Sequence, residues 1–474
     1  MGYPLPIAQF PFPENLEMPF FTSTRRLIQC AFLTSAVVFA STQITFAQFG
    51  AGSEQLIRVT WQDAQDKSLH WGEFVQVGPS IVFQDQGKVA GFPALTGNQA
   101  LGTMERIDNM LVVGVRGGGW LAVDLQVTEQ PHGDHSDYTY GDAPQVKLSL
   151  LGDPGKYPIH LYDYNNEFYL ANDPLNGFTR ISPTTLMAGG DKALGVFYQG
   201  GGGHITLAAV GKKVAYSTWI KPSESGGGRI DVVNLDKPGS ESIAYSFESP
   251  TPGLHGAITN SGKVFMAPSD GIIWVEADLD LSQPAESVKV NHLSLGKNAE
   301  DDKPYRTGAF TDHKDHVMFL AGKGADAGLC LIKASAEAPA VSKLTVETKP
   351  GLFLGMPKCV TALSGKEYAM AFQSKRAGDA AEQLTIIDLD PNQDRDFADA
   401  KVEKSIEVGS GLVEGHRSYH SISFDDDEKY AVFTNPADGE ICLLSLDKLK
   451  VISRQKVGGI PTGIVAVGGE ASKH

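Results

Sequence analysis

Four histidines stand at one recurring place in this chain, the residue that opens the first strand of a repeated β-unit. They are read in Pro158-Ile-His160, Gly203-His204, Pro252-Gly-Leu-His255 and Tyr419-His420, and a fifth copy carries Pro357-Lys-Cys359. Imidazole nitrogen suits zinc, copper, iron and nickel, and a site of three or four neutral histidines is most often a zinc site. If the copies close into a ring, these positions turn toward one axis and surround the mouth of a central channel. His160, His255 and His420 form the strongest candidate set for such a metal site. His204 follows four glycines, lacks the preceding proline, and is the weaker member. Taken singly, each histidine also reads as a ring nitrogen bonded to a neighbouring blade's backbone.

A second constellation is Pro131-His132-Gly-Asp134-His135-Ser-Asp137-Tyr138, with two imidazoles and two carboxylates on an acidic stretch flanked by aromatics. A flexible loop of this kind can capture a divalent metal or hand one over. Its spacing is not that of a zinc finger, a zincin or an EF-hand loop, and the plain alternative is a hydrophilic loop. Of the 12 histidines, His474 is terminal, His70 and His292 fall in polar connections, and His313 and His316 read as a solvated turn.

The elements that must position these residues follow from the repeat. Each copy has a short opening strand, a polar turn, an apolar strand, a Gly or Asp turn and a second apolar strand. After His255 come Asn260-Ser-Gly262, Val264-Phe-Met, Ser269-Asp-Gly271 and Ile272-Ile-Trp-Val275. Opening positions fall at 103, 160, 204, 255, 308, 359, 420 and 463, in steps of 43 to 61 residues. At four short strands per step this predicts an all-β propeller of eight blades, with seven as the alternative count. The last copy stops near residue 467, so residues 54–95 are expected to supply its outer strands and lock the ring. The loop around His132 falls between the third and fourth strands of its blade, which predicts a position on the face opposite the opening residues.

Composition agrees with many short strands and tight turns: 52 Gly and 26 Pro in 474 residues, with 42% hydrophobic residues for a core. A formal net charge of −16 argues against nucleic acid, whose binding is dominated by Lys and Arg contacts to phosphate. Arg25-Arg26, the apolar run Leu27 to Ala40 and Thr45-Phe46-Ala47 read as an export signal, giving an N-terminal extension and signal over 1–47 and one propeller domain over 48–474. The mature protein is then periplasmic or secreted, with no membrane insertion. Cys30 lies in that signal, and the three remaining cysteines are too widely spaced for a disulfide framework.

The His-Gly-Asp-His loop, followed by Pro-x-His at 158–160, Pro-Gly-Leu-His-Gly at 252–256 and Tyr-His at 419–420, resembles the AztD-type zinc metallochaperones, exported propeller proteins associated with zinc ABC importers. The resemblance implies zinc as the bound metal, the importer's solute-binding protein as partner, a monomer, no enzymatic activity, and His132, His135, His160, His255 and His420 as the metal residues. The chain departs from a poly-His pattern, which leaves a separate His-rich delivery segment without support. Two other readings stay open beside this one. A metal-dependent propeller enzyme, such as a lactonase-like hydrolase, needs an open metal position and a nearby general acid or base. A protein-binding platform needs only structural histidines.

Overall fold

The structure, a computed structural model, describes residues 53–470 except 134, 323–325, 376–379 and 414–418. The extension and signal expected over 1–47, and Asp134 of the histidine loop, lie outside the described residues. The described chain is a β-propeller of eight blades. Seven blades have four strands and one has five, all meandering antiparallel from the axis outward. The fifth strand arises in the seventh blade, where Leu352–Leu354 and Lys358–Thr361 both pair with Glu367–Lys375.

Ring closure follows the sequence reading. Pro461–Val467 is the innermost strand of the first blade, and Ser53–Asp63, Ser68–Val77 and Ser80–Lys88 pair outward from it in that order. The apolar faces of neighbouring blades then have to cover one another. Eight hydrophobic clusters do so, one in each seam of the ring. At the closing seam Trp61 and Phe74 of the first blade pack with Val432, Ile441 and Leu443 of the eighth, all buried. An axial cavity of about 710 Å³ is lined by inner-strand residues including Gln62, Met104, Leu161, Cys359, Ser421 and Gly463.

One elaboration interrupts the plan. Between the third strand of the second blade, Gly119–Asp124, and its fourth, Gln145–Leu150, the chain forms a separate hairpin of Val127–His132 and His135–Tyr140. Asp124 pairs with Met110, beside the turn that ends the opening strand Ala100–Ile107. The hairpin therefore springs from the face opposite the opening residues. Its base is held by the ring-closing strand, through Arg58. The Arg58 guanidinium, almost fully buried, donates to the carbonyls of Leu125, Gln126, Gly141 and Asp142 at 2.8–3.2 Å and to Glu73 at 2.7 Å. Tyr140 Oη adds bonds to Leu56 O and Gly469 O. Among the described residues, no helix is long and apolar enough to cross a membrane.

Candidate metal centre

Three of the four opening histidines form a row across consecutive blades: His160 on the third, His204 on the fourth and His255 on the fifth. The Nε2 atoms of His160 and His204 lie 3.2 Å apart, and the His204 and His255 ring centroids are 4.7 Å apart. His204, the weaker member in the sequence, stands in the middle. The glycines before it explain how it gets there. A Cβ at Gly201 would come within 2.3 Å of Ser217 Oγ, and one at Gly202 within 2.3 Å of the Trp219 ring. Only glycine lets this ribbon lie flat on its own blade and carry His204 to the rim.

Acceptors beside the ring nitrogens define their tautomers. His204 Nδ1 faces Asp173 Oδ2 at 3.3 Å, and His255 Nδ1 faces Gly308 O at 3.0 Å. Carboxylate and carbonyl oxygens only accept, so both Nδ1 atoms carry the proton and both Nε2 atoms keep a lone pair. Gly308 opens a copy without a ligand of its own, yet it serves its neighbour. A side chain there would begin 3.1 Å from His255 Nδ1. The His160 imidazole is pushed down to about 4 by burial first, then by the neighbouring His204 and His255, so it is neutral at pH 7.

A tetrahedral zinc with Zn–N bonds of 2.0–2.1 Å sets its nitrogens about 3.3–3.4 Å apart. The His160–His204 spacing already matches one edge of that tetrahedron. His255 does not bring a third ligand atom within 4.8 Å of both others, since the row is not among the groups that meet this spacing.

The structure does not bring His420 into the row. Its Nδ1 lies 2.6 Å from Thr434 O and its Nε2 2.9 Å from Glu382 Oε2, while its ring stacks on Phe372 at 4.6 Å. Both nitrogens face acceptors, and both side chains of the pair are buried. Burial would raise the Glu382 carboxyl, but the bond from His420 and the Gly411 N–H outweigh it and hold the group below its ordinary value. These contacts occupy both ring nitrogens inside the seam between the seventh and eighth blades. Cys359, the fifth copy, lines the axial cavity, and burial together with Asp312 pushes its thiol well above the usual range.

On the opposite face, the stretch expected as a loop is a β-hairpin. His132 pairs directly with His135, and Gly133 beyond it takes φ +67°. The period of two sets Asp137 on the same face as His135. His132 Nδ1 lies 2.6 Å from Asp137 Oδ2, and one ligand atom from each of His132, His135 and Asp137 falls within 4.8 Å of the other two. This site is exposed at the hairpin tip. Two imidazoles and a carboxylate at that spacing are the donor set of an open zinc site, with a coordination position left for an outside ligand.

Asp63, Asp66 and His70 meet the same spacing. Their oxygens are engaged, however: Asp66 Oδ2 holds His70 and Lys88 at 2.9 and 3.0 Å, and Asp63 Oδ1 accepts the N–H groups of Gln65 and Ile460. His70 and His292 lie in strands, where the sequence had suggested connections. The solvated turn expected for His313 and His316 is also corrected. His313 ends an inner strand and bonds Glu367 at 2.5 Å, and His316 is buried and stacked on Phe397 at 4.1 Å.

Solved structures similar to this chain include two of AztD. The crystal structure of AztD from Citrobacter koseri superposes with a TM-score of 0.60 at 18% identity, covering 89% of this chain and all of that one. Apo AztD from the same organism gives 0.58 at 16%, with 88% and 100% coverage. The fold is shared. A putative 6-phosphogluconolactonase from Bacteroides uniformis aligns at a TM-score of 0.45 and 9% identity over 87% of this chain and 99% of its own. No protein-family model and no curated protein matches the sequence.

Proposed function

We propose that this chain is an exported zinc-binding propeller protein, a metallochaperone that delivers zinc to the solute-binding protein of a zinc ABC importer. The observation that carries the reading is the exposed His132–His135–Asp137 group, whose three ligand atoms already sit within 4.8 Å of one another. Zinc is the cargo. An open, solvent-facing three-ligand site suits exchange, because an incoming ligand from a partner can enter before the old ones leave. The shared fold with AztD and the His-Gly-Asp-His motif support zinc over other divalent metals.

The row on the other face is the second station, built from His160, His204 and His255, with His420 left in a structural role. In the apo protein His204 Nε2 has the lone pair, so His160 Nε2–H is the donor across the 3.2 Å contact. Both rings would offer Nε2 to a zinc held between them once the His160 proton shifts from Nε2 to Nδ1, and because His160 is already neutral no proton has to be lost to solvent.

The test uses the mature chain without a His tag, stripped with a chelator and titrated with zinc against a competing indicator. Uptake at micromolar zinc, followed by loss of metal to the solute-binding protein but not to a non-binding control protein, is the expected result. Failure to take up zinc at that concentration overturns the reading.

A further inference from the structure

We infer that Asp173 is a positioning residue for the row: its carboxylate holds the proton on His204 Nδ1 and so keeps His204 Nε2 free to bind metal. The inference rests on the reading of the row as a zinc station.

Asp173 is placed by its own sequence. In Asn172-Asp-Pro-Leu-Asn-Gly177, Pro174 sits at the start of the single 3-10 turn Asp173–Leu175, and Asn176 closes it in the left-handed region at φ +48°. The turn joins the second and third strands of the third blade and projects Asp173 toward the fourth. There its two oxygens divide their work. Oδ1 accepts the backbone N–H of Ile205 at 2.8 Å, and Oδ2 faces His204 Nδ1 at 3.3 Å. One bond fixes the chain beside His204, and the other fixes its ring.

The tautomer matters because only one of the two puts a lone pair toward His160. Carboxylate–histidine–metal arrangements use this contact to orient the ring and raise its basicity. Asn is the informative substitution. In Asp173→Asn the amide oxygen keeps the Ile205 N–H bond, but the amide nitrogen is a donor and pairs with an unprotonated Nδ1. The proton then moves to Nε2, where it blocks the metal.

The first measurement is nitrogen-15 NMR of histidine-labelled apo protein. Wild type is expected to show His204 protonated at Nδ1, and Asp173→Asn at Nε2. The second is zinc affinity in a His132→Ala/His135→Ala background, which isolates the row. There Asp173→Asn is expected to weaken zinc by about 10–100-fold, with the thermal midpoint unchanged because the Ile205 bond survives. Protonation of wild-type His204 at Nε2, or a row affinity for zinc in Asp173→Asn within twofold of its parent, overturns the assignment. If the parent lacking the hairpin site binds no zinc at all, the row fails as a station, while the apo tautomer still judges Asp173.

Discussion

The neutral state of His160 has a measurable consequence for stability. Its folded value of about 4 lies below the ordinary 6.5 of an imidazole. A base depressed in this way costs nothing while it is neutral in both states, so its effect is absent above about pH 6.5. As the pH falls from there toward 4, the unfolded chain binds the proton more readily than the folded ring, and stability is lost. The gap of about 2.5 pH units between these two values is worth about 3.4 kcal/mol in full at 1.36 kcal/mol per unit. By about pH 5 roughly 2 kcal/mol of it is gone. His160→Gln removes the titration and keeps a polar side chain at the rim. With chelator present, urea unfolding of wild type and variant is compared at about pH 7.5 and pH 5, together with the ring-proton NMR titration of His160. Wild type is expected to lose about 2 kcal/mol more than the variant between those conditions. Equal losses, or a His160 midpoint within half a unit of 6.5, refute the reasoning.

At the hairpin, Asp137→Asn removes a charged ligand from an exposed site and is expected to weaken zinc there by at least tenfold, read by competition titration, with the row untouched. His420→Ala strands the buried Glu382 carboxylate and is expected to cost about 3–5 kcal/mol in unfolding free energy without changing zinc stoichiometry; a lost zinc would return His420 to the metal residues. Arg58→Met leaves Glu73 and four hairpin carbonyls without their donor. A loss of about 3–5 kcal/mol is expected, along with faster proteolysis of the hairpin, since that guanidinium ties its base to the ring.

The ring was legible because period and pattern repeat in every copy, down to the terminal strands that close it. The row was only half legible, for a reason visible in particular residues. Alignment tells which residues sit at equivalent places, but contact also requires neighbouring blades. His160, His204 and His255 belong to consecutive blades, whereas His420 stands on the eighth and finds Glu382 on the seventh. His204 was undervalued because its four glycines look like a turn, and their packing on Ser217 and Trp219 cannot be read from the repeat. Asp173 did leave a signal. The turn Asn172-Asp-Pro-Leu-Asn-Gly177 has a relative in Asn435-Pro-Ala-Asp-Gly439, whose 3-10 turn also ends in a left-handed residue. A carboxylate on such a turn reaches the segment beside it, as Asp438 does with the Ser410 N–H at 3.0 Å. His313 and His316 misled because Asp and Lys between them suggest water, while the turn is tucked against the next blade.

Strand alternation decides how the two candidate stations relate. An opening strand begins at the face of the row, and each later strand reverses direction, so an insertion after the third strand must leave from the other face. The hairpin therefore cannot complete the coordination of an ion held at the row, and each station has to satisfy its metal with its own donors. Their surroundings differ in a way that suits different tasks. At the row, burial has already removed the proton that would compete for His160, and Asp173 and Gly308 hold two of the rings in the ligating tautomer. Those features favour retention. At the hairpin, His132 and His135 are exposed beside a partly buried Asp137 at the tip of two strands whose Val127, Tyr138 and Tyr140 are packed on the ring, and that open tip favours exchange. On the proposed reading, the metal is handed over by the hairpin, and a partner should protect His132 and His135 from modification by diethylpyrocarbonate while leaving His160 and His204 as reactive as in the free protein.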